Sequence, residues 1–163
     1  MALEIRFESA QELAEQDLFA FFAGQCDAEL VDLDPRDPFL RTQVMDIMPY
    51  LVTPVDEEQE EMEERHAGKI GFRRKISVTF RFSGTAEYGE RLAGWEVMLN
   101  AVIVFVRKYP AEAVLLFNGE EILMRCHNGE IVFDTSEYFD EEPSLMAIVS
   151  RHRQEALEQP LMG

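Results

Sequence analysis

Two Asn-Gly dipeptides, Asn118-Gly119 and Asn128-Gly129, constrain this chain more than any other feature. Both central residues of a type I′ turn need positive φ, so Asn-Gly between apolar runs marks a tight hairpin. The runs here are Ala113–Phe117, 121–126 and Glu130–Asp134, which together predict a three-strand meander. With two-residue loops, Leu115 would face Ile122, Ala113 would face Met124, Cys126 would face Ile131 and Met124 would face Phe133. Opposed residues share a face. Leu115, Phe117, Ile122, Met124, Cys126, Ile131 and Phe133 would then form one apolar surface. Val114, Leu116, Leu123 and Val132 would lie on the other, beside Glu121, Arg125 and Asp134.

A long helix precedes the meander. Tyr88, Leu92, Trp95, Leu99, Val102 and Val106 recur at steps of three and four, a narrow stripe at about 100° per residue. Pro110 closes it. Val97, Val104 and Phe105 lie off the stripe, so its C-terminal half either lies deep or forms an oligomer contact such as a homodimer.

Elsewhere the pattern alternates between strand and helix. Residues 2–8 read as a strand, with Leu3, Ile5 and Phe7 inward and Glu4, Arg6 and Glu8 solvated. Ser9 and Glu12 form a capping-box pattern, so a helix should start there, bury Leu13, Leu18, Phe19, Phe21 and Phe22, and stop at Gly24. A short strand fits 29–33, followed by a turn-rich break over Asp34-Pro35-Arg36-Asp37-Pro38. Residues 39–52 fit a strand or a short helix, and Pro49 disturbs either; we read a strand.

Thr53 and Pro54 look like an N-cap and first helical position for the acidic run that follows, with Arg65, His66 and Gly68 at the other end. That helix has only Val55 and Met62 as apolar anchors and should be exposed. Residues 75–83 alternate cleanly, with Ile76, Val78, Phe80 and Phe82 in and Ser77, Thr79 and Arg81 out. A last helix starts at Pro143 or Ser144 and buries Leu145, Met146, Ile148 and Val149. The tail after Glu158 has little to hold it. The fold class expected is α+β, a single domain over 1–163 with an antiparallel or mixed sheet of about six strands. The long helix and the N-terminal helix cover one face, and the 75–83 strand and the meander form the centre.

The formal net charge is −17, from 32 acids against 15 bases. Nucleic acid and anionic membrane both need a positive patch, so neither is expected as a partner. A basic protein partner is compatible, a nuclease in particular. The N-terminus has no basic region followed by an apolar one, so no signal peptide is read. The longest apolar run, 97–106, is broken by Asn100 and too short to span a bilayer. Cys26 and Cys126 form no disulfide framework, which fits a cytoplasmic chain.

His66, His127 and His152 share no metal-ligand spacing, and no phosphate-binding, dinucleotide-binding or nucleophile-elbow motif is present. No catalytic residue, metal or cofactor is therefore assigned. The candidate partner-binding surface is acidic with an aromatic: Asp56, Glu57, Glu58, Glu60, Glu61, Glu63 and Glu64, together with Glu137, Tyr138, Asp140, Glu141 and Glu142. Two other classes stay open. One is an acidic nucleic-acid mimic that inhibits a DNA-binding protein. The other is a small enzyme with a diffuse carboxylate site.

One ordered set of segments goes beyond composition. The chain opens Met1-Ala2-Leu3-Glu4 before its first strand. Its centre reads Gly71-Phe72-Arg73-Arg74-Lys75-Ile76 and continues to Phe82. The Tyr88 helix contains Met98-Leu99-Asn100-Ala101-Val102-Ile103. Then come Glu112-Ala113-Val114-Leu115-Leu116-Phe117-Asn118-Gly119-Glu120, Leu123-Met124-Arg125 and Gly129-Glu130-Ile131-Val132. This set resembles the immunity proteins of the swarm-inhibition (Sit) system of social gliding bacteria, in particular the third type. The resemblance implies a cytoplasmic immunity protein in contact-dependent competition. It would act as antitoxin to a cognate lipoprotein toxin delivered by outer-membrane exchange, through stoichiometric binding. It covers the first residues and 71–134, and residues 34–66 match no part of it.

Overall fold

The computed structural model describes residues 3–33, 36–135 and 137–162, with the backbone alone at 137. The chain runs β1 (Leu3–Ser9), α1 (Glu15–Cys26), β2 (Glu29–Val31), β3 (Phe39–Arg41), β4 (Met45–Leu51) and α2 (Glu57–Ile70). It continues with β5 (Ile76–Phe82), α3 (Tyr88–Lys108), β6 (Ala113–Phe117), β7 (Glu121–His127), β8 (Glu130–Asp134), α4 (Glu137–Asp140), α5 (Pro143–Val149) and β9 (Arg153–Glu155). The strands form one nine-stranded sheet in the order β2-β3-β4-β5-β1-β6-β7-β8-β9. Among the described residues, only the β8–β9 pair is parallel. The class is α+β with a mixed sheet, larger than expected by short strands at both ends.

The centre is β1, hydrogen-bonded to β5 on one side and β6 on the other. Its odd residues, Ile5 and Phe7, are fully buried beneath α1 and α3. Phe105 of α3 meets Phe7 edge-on at 5.3 Å and stacks on Phe22 of α1 at 5.7 Å. The opposite face carries a smaller apolar cluster of Ile70, Val114, Leu116 and Ile122, with Phe72, Leu157 and Leu161 against it. Ile70 ends α2, so α2 lies on that second face. Ser77 and Thr79 of β5, expected outward in solvent, are buried there in the rows that pair with Glu8 and Arg6.

Both Asn-Gly turns adopt positive φ at both central residues, 49° and 77° in the first, 51° and 79° in the second. The second register is as expected, Cys126 opposite Ile131 and Met124 opposite Phe133. The first is not. Phe117 pairs with Glu121 and Leu116 with Ile122, but Leu115 pairs with Met124, leaving Leu123 as a bulge. The loop is thus three residues long rather than two, which turns Ile122 to the second face, and the bulge returns Met124 and Cys126 to the face of Leu115. Leu123 joins the helix-covered core, and Ile122 moves to the second face with Val114 and Leu116. Ile122, Leu123 and Met124 are all apolar, so the pattern could not report the shift.

Helix starts were also misplaced by local signals. Ser9 is the buried last residue of β1, and its hydroxyl accepts the Gln11 N–H at 3.0 Å. Strand pairing to Ile76 and Ala113 wins over capping there. Helix α1 begins six residues later and ends not at Gly24 but at Asp27, which is left-handed at φ 50°. Helix α2 is capped by Asp56, whose carboxylate accepts the Gln59 N–H at 2.8 Å, rather than by Thr53. It continues past Gly68 to Gly71 at φ 93°, a backbone that a side chain rarely tolerates.

Residues 39–52 make two strands, β3 and β4, with Pro49 inside β4. Val44 and Val52 bond toward β5, so the odd residues of β4 face the other side. The β3 partnership covers only Asp46 and Ile47, so Pro49 lies beyond it and its missing N–H costs no ladder bond. In the turn-rich break, residues 34 and 35 lie outside the described residues. Helix α3 has the expected bounds, and its C-terminal half is mostly buried, with Val97 and Val104 left exposed on its outer side. Tyr88 at its start is exposed rather than on the buried stripe. The tail is held: Gln159 accepts the Ile122 N–H at 2.6 Å and donates to the Ile122 carbonyl at 2.9 Å.

Candidate partner-binding surface

Helix α2 poses a physical problem. A helix that is polar all round has no hydrophobic reason to stay on a sheet. Its inward stripe is Glu63, His66, Ala67 and Ile70, a helical spacing in which Ala67 is the one small apolar residue beside the fully buried Ile70. Charge holds the rest. Glu8, on the central strand, has no exposed side-chain surface. His66 Nε2 lies 2.6 Å from one of its oxygens, and the Arg74 guanidinium donates to the other. Arg74 also forks onto Glu63, with bonds of 2.8 and 2.9 Å. Arg73 pairs with Glu60 at 2.7 Å. On the far side of Ile70, the half-buried Arg125 guanidinium donates to its carbonyl, a cation at a helix C-terminus.

The electrostatics follow from this geometry. Burial alone would raise the Glu8 pKa, but the His66 hydrogen bond and the Arg74 charge outweigh it and hold the carboxyl below its ordinary value. Glu63 is held low chiefly by its Arg74 hydrogen bonds. Burial opposes the Arg74 charge, but the Glu63 and Glu8 carboxylates more than offset it, and the guanidinium sits above its ordinary value. Burial lowers Arg125, which has a carbonyl rather than a carboxylate as its partner.

The sequence candidates divide three ways. Glu57, Glu58, Glu61 and Glu64 point into solvent, and Asp56 is exposed while capping the helix. Glu60 and Glu63 are bound to Arg73 and Arg74. Tyr138 stacks on Phe117 at 4.4 Å, Asp140 and Glu141 are exposed, and Glu142 is half-buried before α5. The side chain of Glu137 lies outside the described residues. The two acidic groups are not one surface. Phe139 and Phe117 belong with the helix-covered core, while Ile70 belongs to the second face, so the sheet stands between them.

Sequence reasoning missed Glu8, His66 and Arg74. A signal existed in the spacing of Glu63, His66 and Ile70, but a polar stripe is read as solvated unless a buried partner is known.

Other chemistry is limited. Burial pushes the Cys26 thiol up to about 12 and also raises Cys126. Glu112 pairs with His127 Nδ1 at 2.8 Å, and the other ring nitrogen is met by the Asn128 amide at 3.2 Å. Among the described residues no group of three or more His, Cys, Asp or Glu is placed to hold a metal. No helix among them is long and apolar enough to cross a membrane. A cleft of about 680 Å³ opens between α3 and the β3–β4 end, lined in part by Asp27, Glu29 and Glu90.

What the molecule presents, then, is an α+β body with an acidic helix fixed to its sheet by ion pairs. A family model described as SitI3-like matches residues 3–143, and the chain belongs to that family. Membership implies a toxin as partner. No curated protein and no solved structure matches the chain.

Proposed function

We propose that the chain neutralises its cognate toxin in the cytoplasm by binding it one to one, without turnover or cofactor, and that the toxin is a nuclease. The family match over 3–143 carries this reading, and the net charge of −17 supplies the partner's sign. A nuclease must hold a polyanion, so its cleft is positive, and an acidic protein competes for the same ground. The surface charges on that reading are those of 56–64, with 137, 140, 141 and 142 as a second patch and Tyr138 beside it. Opposite charge speeds encounter, and apolar contacts set the residence time.

The test is co-expression and mixing. A candidate cognate toxin domain, sought among the genes adjacent to this one, should arrest growth alone and not in the presence of the chain. The purified pair should elute as a one-to-one complex whose formation slows with salt. Neither complex nor rescue would remove the proposal. So would full protection at amounts far below the toxin, which would point to turnover.

A further inference from the structure

Between β4 and α2 lies a notch of about 240 Å³, walled by Tyr50, Pro54 and Met62, with the Glu63–Arg74 pair closing one side. At about 30 Å³ per water it would hold roughly eight waters. That is room for one large side chain, and too little for a folded segment. Met62 is 53% exposed and Tyr50 42% exposed, and the Glu63–Arg74 pair is the charged part of a lining that also holds Leu51, Val52, Thr53 and Gln59. Exposed Met and Tyr at one concave point are the residue types that anchor interfaces. The wall is also rigid, because Glu8, Arg74 and Glu63 clamp it to the central strand. Glu58 sits one helical turn before Met62, on the same side of α2, and makes no salt bridge among the described residues; neither do Glu57 and Glu61.

We propose that this notch anchors the partner: it accepts one apolar or aromatic side chain projecting from a basic protein face, whose surrounding cations meet Glu57, Glu58 and Glu61. This rests on the toxin-binding reading above and assigns its energetic centre to α2 and β4 rather than to the patch at 138–142. Charge selects the occupant. A second copy of this chain brings −17 to −17 and is repelled, whereas a basic face is drawn in and then held by the inserted side chain.

Surface plasmon resonance with the cognate toxin domain that passes the growth test above, in an inactivated form, tests it. Met62→Ala and Tyr50→Ala should each raise koff by roughly tenfold and leave kon within about threefold. The triple variant Glu57→Gln, Glu58→Gln, Glu61→Gln should lower kon by about tenfold at low salt and flatten its salt dependence. Tyr138→Ala with Asp140→Asn should change neither rate by more than about twofold. All these side chains are exposed or partly so, and unchanged thermal melts would verify folding. If wild type binds and the notch variants bind equally well, the assignment of the notch is wrong while toxin binding stands. If wild type does not bind at all, both fall. Binding that weakens only in the Tyr138 and Asp140 variant moves the anchor to the other face and overturns this inference alone.

Discussion

Replacing Glu8 by alanine should release α2 from the sheet. The mutation removes a fully buried carboxylate that meets His66 and Arg74. Arg74 remains mostly buried, at 14% exposed, and keeps only its fork to Glu63. Breaking a buried ion pair by removing one partner costs about 3–5 kcal/mol. Because Glu63 still neutralises Arg74, the lower end applies, about 3 kcal/mol. What α2 retains is chiefly the burial of Ile70, about 1.5–3 kcal/mol, so the loss is comparable to everything else that docks the helix. The helix should therefore open locally before the sheet unfolds. Hydrogen exchange read by mass spectrometry should show amides of 57–70 exchanging about a hundredfold faster, since each 1.4 kcal/mol is tenfold. Amides of β1 and β5 should change far less. If the opening were instead global, Tm would fall by about 6–12 °C, at about 2–4 °C per kcal/mol for a chain of this size. Unchanged exchange in α2 together with an unchanged Tm would refute the claim that this network holds the helix.

Three further outcomes follow from the same structure. The folded pKa values of Glu8 and Glu63 lie below their unfolded values, so the unfolded state binds more protons. Their contribution is therefore present above the ordinary glutamate range and is lost as pH falls through the depressed values. Urea midpoints at pH 7 and pH 3 should show a smaller acid-induced drop for Glu8→Gln than for wild type. Gly94→Ala would place a Cβ 2.9 Å from both Phe82 Cε1 and Val44 Cγ2, and denaturant melts should show a loss of about 1–3 kcal/mol, the usual cost of overpacking. Gln159→Ala removes both bonds to Ile122. It should cost about 1–3 kcal/mol by leaving buried backbone groups unpaired, and limited proteolysis should then clip the tail first.

Legibility followed the kind of interaction involved. The long helix and the second hairpin were readable because each is set by its own residues: a 3.6-residue stripe, and an Asn-Gly pair that needs positive φ. The first hairpin shows the limit. Its positive-φ turn was right, yet the third loop residue and the bulge at Leu123 were invisible, because apolar residues stand on both sides of the bulge. The capping pattern at Ser9 failed for a related reason: two neighbouring strands claim that residue through their ladders, and a local cap cannot compete.

By itself the chain's order of residues determined the α+β class, the positions of its main strands, the sign of its surface and the family it resembles, since these depend on periodicity, turn chemistry and summed charge. Only the tertiary structure decided that Glu8 is buried, that an almost wholly polar helix is bolted to it through His66, Arg74 and Glu63, and that the two acidic segments lie on opposite sides of the sheet. Those outcomes depend on which distant residues meet. A carboxylate reads the same in sequence whether water or a guanidinium surrounds it.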